Sequence, residues 1–128
     1  MATVWVLTFP NGDAPLSSNR RVHWRRKHEQ QAWWSGATQI LVREAHVPHL
    51  SRCELIVNIT PPDARRRDED NYVAHLLKPI KDGLVRAGVI DDDTNRYVEW
   101  KVRLLEPTPS RRRAWRVVAY IRELEVVP

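Results

Sequence analysis

Residues Val98 to Leu104, VEWKVRL, alternate without a break between apolar and charged side chains. A period of two belongs to a strand with one face covered and the other in water. The chain must therefore bury Val98, Trp100, Val102 and Leu104 while Glu99, Lys101 and Arg103 point outward. Residues 53–60, CELIVNIT, follow the same rule with Cys53, Leu55, Val57 and Ile59 on one side, and Pro61-Pro62 closes the segment. Residues 3–9, TVWVLTF, are β-prone and are stopped by Pro10-Asn11-Gly12-Asp13; residues 115–121, WRVVAYI, alternate less strictly and read as the last strand. Pro107 and Pro109 point to a hairpin loop between the last two strands.

Two segments switch to a helical period. Over residues 27–45, Trp33, Ala37, Ile40, Leu41 and Ala45 recur at steps of three and four, and Pro48 ends the run. Gly36 inside it costs up to about 1 kcal/mol relative to Ala. Over residues 71–87 the apolar side holds Val73, Leu76, Leu77, Ile80 and Leu84, with Gly88 where a C-terminal cap belongs. Pro79 predicts a kink or split, because its ring removes a backbone donor and crowds the preceding turn. Residues 15–26 show neither period and read as a donor-rich loop. The order β-α-β-α-β-β, without an internal repeat, predicts an α+β fold: one small domain over residues 1–128, with a mixed sheet of about four strands and two helices packed on it.

At 128 residues the chain suits one core. No apolar stretch approaches the roughly 20 residues of a membrane span, and the N-terminus lacks a signal pattern. Cys53 is the single cysteine, which excludes an internal disulfide or a cysteine zinc cluster and fits a reducing, cytoplasmic setting. It reads as an inert core thiol, and Trp5, Trp33, Trp100 and Trp115 read as core. His46 and His49 receive no role, since Pro48 breaks the helix that would align them. A formal charge of +5 and a pI near 9.9 point to a polyanionic partner.

Eight of the sixteen acidic residues nevertheless fall between Asp63 and Asp93. Arg65-Arg66-Arg67-Asp68-Glu69-Asp70-Asn71 precedes the second helix and Asp91-Asp92-Asp93 follows it. Taken singly, each is a solvated loop or a set of acids favouring a helix N-terminus. Together they bracket one helix. Asp68 and Asp70, two apart, project to one side of an extended segment. If the chain returns toward the start of that helix, Asp92 and Asp93 complete an oxygen-rich pocket. Like charges held that close need a cation, and magnesium suits carboxylates, waters and phosphate oxygens. Such a site fits phosphodiester hydrolysis, with Arg65, Arg66 and Arg67 holding phosphates. Asn71, His75, Lys78 and Asp82 fall within about 60° of one another at 100° per residue, a polar stripe that for His75 and Asp82 reads as a solvated helix face, while Lys78 is placed to act on a phosphate or leaving oxygen.

The string RRRDEDNYVAHLLKPIKDGLVRAGVIDDD, residues 65–93, resembles the RusA family of Holliday junction resolvases: a basic run, Asp-x-Asp-Asn, a helix with a Lys and Asp-Gly-Leu, then Ala-Gly and an Asp pair. Ser18-Asn19-Arg20 after a strand ending in Pro is similar as well. The resemblance implies that Asp68, Asp70 and Asp93 are essential metal-binding acids, with Asp92 beside them, and that magnesium or manganese is the cofactor. It also implies a homodimer nicking both strands of a four-way DNA junction; no organic cofactor is expected, and the lack of an apolar span argues against a membrane partner. The family's lysine follows Asp-x-Asp-Asn more closely than any lysine here, and Ala74 holds that spacing. Aligned on Asp82-Gly83-Leu84, Lys78 matches if four residues, about one turn, are inserted.

Asn19, Arg20, Arg21, Arg25, Arg26 and Lys27, with His23 and Trp24, are read as phosphate contacts and a stacking group at the crossover. A solubilising loop is the alternative. Arg111, Arg112 and Arg113 suit a second phosphate contact or a hairpin tip equally. Two rival functions remain open: a non-catalytic binder of branched DNA, and a metal-dependent nuclease for other branched DNA or structured RNA.

Overall fold

The computed structural model describes residues 3–10, 15, 24–107 and 114–125. Its elements run β1 (Val4–Thr8), α1 (Trp24–Glu44), β2 (Cys53–Thr60), a helical run from Asp70 to Arg86, β3 (Val98–Leu104) and β4 (Arg116–Glu123). The sheet order is β1-β4-β2-β3, with β2 and β3 parallel and the other two pairings antiparallel. It is one mixed four-stranded sheet with two helices, a small α+β domain.

The helical run has three parts: α2 (Asp70–Tyr72), a π-helical turn (Val73–Leu77) and α3 (Lys78–Arg86). Pro79, expected to kink or split the helix, sits in the first turn of α3. It has no N–H for the carbonyl of His75 four residues back, and the widened turn lies just before it. At the other end Gly88 takes φ +79°. Its N–H reaches Val85 O at 3.0 Å while Val89 N–H reaches Leu84 O at 2.9 Å, the paired bonds of a Schellman cap. Leu76, Leu77, Ile80 and Leu84 are all buried, as their spacing predicts, and Val73 packs partly buried against them.

The inner face of the sheet carries Leu7 and Phe9, Leu55, Val57 and Ile59, Val98 and Val102, Val117, Ala119 and Ile121, all buried with the helical residues in one core. Phe9 packs on Trp34 with ring centroids 4.8 Å apart. Cys53 is fully buried, and burial pushes its thiol up to about 11, so it is the inert core thiol expected.

Four expectations need correction. First, α1 starts at Trp24 rather than Lys27, which puts Trp24, Arg25 and Arg26 in its first turn and not in a loop. Second, its buried residues are Trp34, Ser35, Thr38 and Val42, one position on from the apolar set read from the sequence. Small side chains meet α3 there, because Gly83 allows close approach: a Cβ on it would lie 2.7 Å from Thr38 Cβ. Trp33 (40% exposed) and Ile40 (56%) instead line an apolar surface groove with Thr8 and Pro10. Third, Trp100 lies on the edge strand β3 and is 39% exposed, while Trp5 and Trp115 pack only partly against the core. Fourth, β3 and β4 form no hairpin, since β2 lies between them. The parallel crossover from β2 places β3 on one edge of β2 and leaves the other edge for β4. No helix among the described residues is long and apolar enough to cross a membrane.

Candidate active site

The loop after β2 is built around one guanidinium. Arg67 donates to Asp63 O and Arg65 O, both at 3.0 Å, and to Asp63 Oδ1 at 2.7 Å. Its guanidinium also stacks on Trp115, 4.6 Å from the ring centroid. Asp63 Oδ1 accepts the Arg65 N–H as well, at 3.0 Å. The Arg67 hydrogen bond and then that N–H hold the Asp63 carboxyl below its ordinary range. Tyr72 completes the cluster, 6.3 Å from Trp115, and burial raises its phenol despite the nearby Arg67. Arg67, read as a phosphate contact, is thus engaged in shaping the loop, whereas Arg65 and Arg66 are exposed.

That loop delivers Asp68, Glu69 and Asp70 to the start of α2, all exposed. Asp68 Oδ1 accepts the Asp70 N–H at 3.1 Å. Acids here face the positive end of the helix. Next comes the π turn, where burial and then Lys27 of α1 lower the His75 imidazole below its usual value.

Lys78 opens onto a cleft of about 350 Å³ between α1 and α3. Lys78, Pro79, Asp82 and Arg86 form one wall, His28, Gln31, Ser35 and Gln39 the other, and Asp93 closes an end. Ser35 Oγ donates to Asp82 Oδ2 at 3.0 Å, and Arg86 Nε contacts the same oxygen at 3.0 Å. Asp82 is therefore neutralised locally, and Lys78 and Asp93 are the charges of the cleft left without an ion pair among the described residues. Lys81 Nζ reaches Asp93 O at 3.4 Å, and Asp92 Oδ1 accepts the Asp93 N–H at 2.8 Å. Asp91 is exposed and contacts His49 Nε2 at 2.9 Å.

The structure thus brings Lys78 and Asp93 to one cleft. Asp68 and Asp70 are not part of its lining. Asp70 lies eight residues before Lys78, with the π-helical turn between them. Among the described residues no group of three or more His, Cys, Asp or Glu side chains is arranged to hold a metal ion. Of the basic residues read as DNA contacts, Arg25 and Arg26 are exposed on the first turn of α1 and Lys27 is half-buried near His75. Asn19, Arg20 and Arg21, like His23 and Arg111 to Arg113, lie outside the described residues. Sequence reasoning missed the α1 wall. His28, Gln31, Ser35 and Gln39 follow one another at steps of three, four and four, a polar helical face legible in principle but outweighed by the apolar one.

No family model matches the chain. It is similar to an uncharacterized protein of Xylella fastidiosa, 34% identical over 91 residues that cover 67% of this chain and 59% of the relative. The chain therefore spans about three-fifths of the relative it matches.

Proposed function

We propose that this protein is a magnesium-dependent endonuclease that resolves four-way DNA junctions by paired nicks, working as a homodimer in the cytoplasm. The observation that carries the reading is the meeting of Lys78 and Asp93, fifteen residues apart, in one cleft on a helical run that starts at exposed Asp70, with exposed Asp68 in the loop before it. The resemblance to RusA resolvases implies Asp68, Asp70, Asp92 and Asp93 as one metal-binding set beside a lysine; of these residues the cleft unites Lys78 and Asp93, and that pairing supports the reading.

The donor chemistry fits magnesium, with manganese as a substitute. Asp68 and Asp70 offer hard carboxylate oxygens, and magnesium commonly uses one or two carboxylates and keeps several waters. When bound, the metal supplies activation of water and charge neutralisation at phosphate. The chain's own groups do the rest: Arg65 and Arg66 grip flanking phosphates, and Lys78 offers its ammonium to the scissile phosphate or the leaving oxygen. A two-fold symmetric junction calls for two sites related by a two-fold axis, which is the reason for a dimer.

The position of Asp68 and Asp70 outside the lining of the Lys78 cleft favours a second reading, a binder of branched DNA that does not cut. Purified protein with a labelled synthetic four-way junction, with and without magnesium, separates the two. Symmetric nicks that require the metal support the nuclease; binding without nicks supports the binder; preferential cutting of flaps, structured RNA or linear duplex rejects the resolvase assignment.

A further inference from the structure

No described helix covers the outer face of the sheet, and the strand registers lay that face out in rows. Val4, Arg122, Glu54 and Glu99 share one row; Val6, Tyr120, Ile56 and Lys101 the next; Thr8, Val118, Asn58 and Arg103 the third; Arg116 and Thr60 lie beyond. Charge is graded across these rows. At one end Arg122 pairs with Glu54 at 3.2 Å and Arg52 pairs with Glu99. The centre holds half-buried Tyr120 and Ile56 beside exposed Val6, with Val118 buried. Along the β3 edge and toward the other end, Lys101, Arg103 and Arg116 are exposed and have no carboxylate partner among the described residues. Lys101 and Arg103 are about 6.6 Å apart along β3, and Arg116 stands two strands away, about 10 Å across the sheet.

We propose that this face binds single-stranded nucleic acid. A duplex presents phosphates and hides its bases, so it answers the cations alone. A single strand presents both phosphates and the flat faces of its bases, which answers the cations and the aromatic-aliphatic centre together. A lipid surface requires long apolar side chains free to insert, whereas Tyr120 and Ile56 are half-buried and the exposed apolar residues of this face, Val4 and Val6, are short. The inference does not depend on the cleft, on a metal or on nicking.

Fluorescence anisotropy with the full chain tests it, using a short thymidine oligonucleotide, a duplex of equal length and phosphatidylserine vesicles as separate probes. The wild type is expected to prefer the single strand. Replacing Lys101, Arg103 and Arg116 together by Gln should flatten the plot of log K against log salt by about 2, at about 0.7 per phosphate contact. Tyr120→Leu, which keeps an apolar body, should weaken binding about tenfold and leave the slope unchanged. Duplex affinity lost in the triple variant while oligonucleotide affinity is kept, binding to vesicles instead of the oligonucleotide, or an unchanged oligonucleotide slope in a triple variant that melts like wild type would overturn the proposal.

Discussion

A Cβ placed on Gly83 would stand 2.7 Å from the carbonyl oxygen of Ser35, closer than such atoms approach in real proteins. The backbones of α1 and α3 thus touch at this point, and the width of the cleft and the bond from Ser35 to Asp82 depend on a residue without a side chain. Gly83→Ala is expected to destabilise the fold by about 1–3 kcal/mol, because neither Ser35 backbone nor buried Thr38 can yield cheaply. Chemical denaturation at neutral pH measures this, and wild-type stability in the variant would refute the close contact.

His46, just past the end of α1, lies in the left-handed region at φ 55°, where glycine is the usual occupant. Its N–H reaches Arg43 O at 3.1 Å and the Val47 N–H reaches Val42 O at 3.0 Å, so the cap geometry is complete and only the residue type is strained. His46→Gly should raise stability by up to about 1 kcal/mol. His46→Val should lower it. Calorimetric melting of the pair checks the sign.

The raised Tyr72 phenol and the lowered Asp63 carboxyl shape stability at the alkaline and acid extremes, and two further titrations act nearer neutrality. The unfolded Cys53 thiol ionises near 9, while the folded one waits until about 11. Above pH 9 the unfolded state releases a proton that the folded state keeps, so stability falls as pH rises through this window. His75 acts on the acid side. Burial and Lys27 lower its folded pKa, so the unfolded chain takes up a proton first as pH falls below 6.5, and stability declines there too. Melting temperature against pH should show both shoulders. Cys53→Ala should flatten the alkaline shoulder and His75→Gln the acidic one.

Asp70→Asn separates catalysis from binding under the proposed function. It removes a negative charge next to phosphate and leaves Arg65 and Arg66 in position, so junction affinity should hold or rise. Nicking should fall about a hundredfold or more, the scale of losing one catalytic group. Gel-shift and cleavage assays on the same junction give the two numbers. Loss of binding by a folded variant would remove Asp70 from the site.

Much of this architecture is written locally. The alternation in Val98–Leu104 and Cys53–Thr60 marks the bounds of both strands, and in β2 it also marks the buried face, whereas in β3 the edge position leaves Trp100 exposed. Pro79 and Gly88 mark the interrupted turn and the cap because proline restricts its own backbone and glycine enters φ +79° without strain. The acidic residues around the second helix are likewise visible as a run of letters. The buried face of α1 is not legible in the same way, and the reason is competition between two signals. Trp33, Ile40 and Leu41 form the more apolar stripe, yet the contact with α3 selects size over hydrophobicity and takes Ser35 and Thr38.

Periodicity, turn chemistry and charge are thus properties that this sequence determined by itself, because they act between residues within a few positions of one another. Tertiary structure alone decided that β4 takes the free edge of β2, that Arg67 spends its donors on its own loop and stacks on Trp115, and that Lys78 shares a cleft with Asp93. Those outcomes rest on contacts such as Ser35 to Asp82, 47 residues apart. No local period records them, since their energies exist only once the helices and the sheet have closed on a common core.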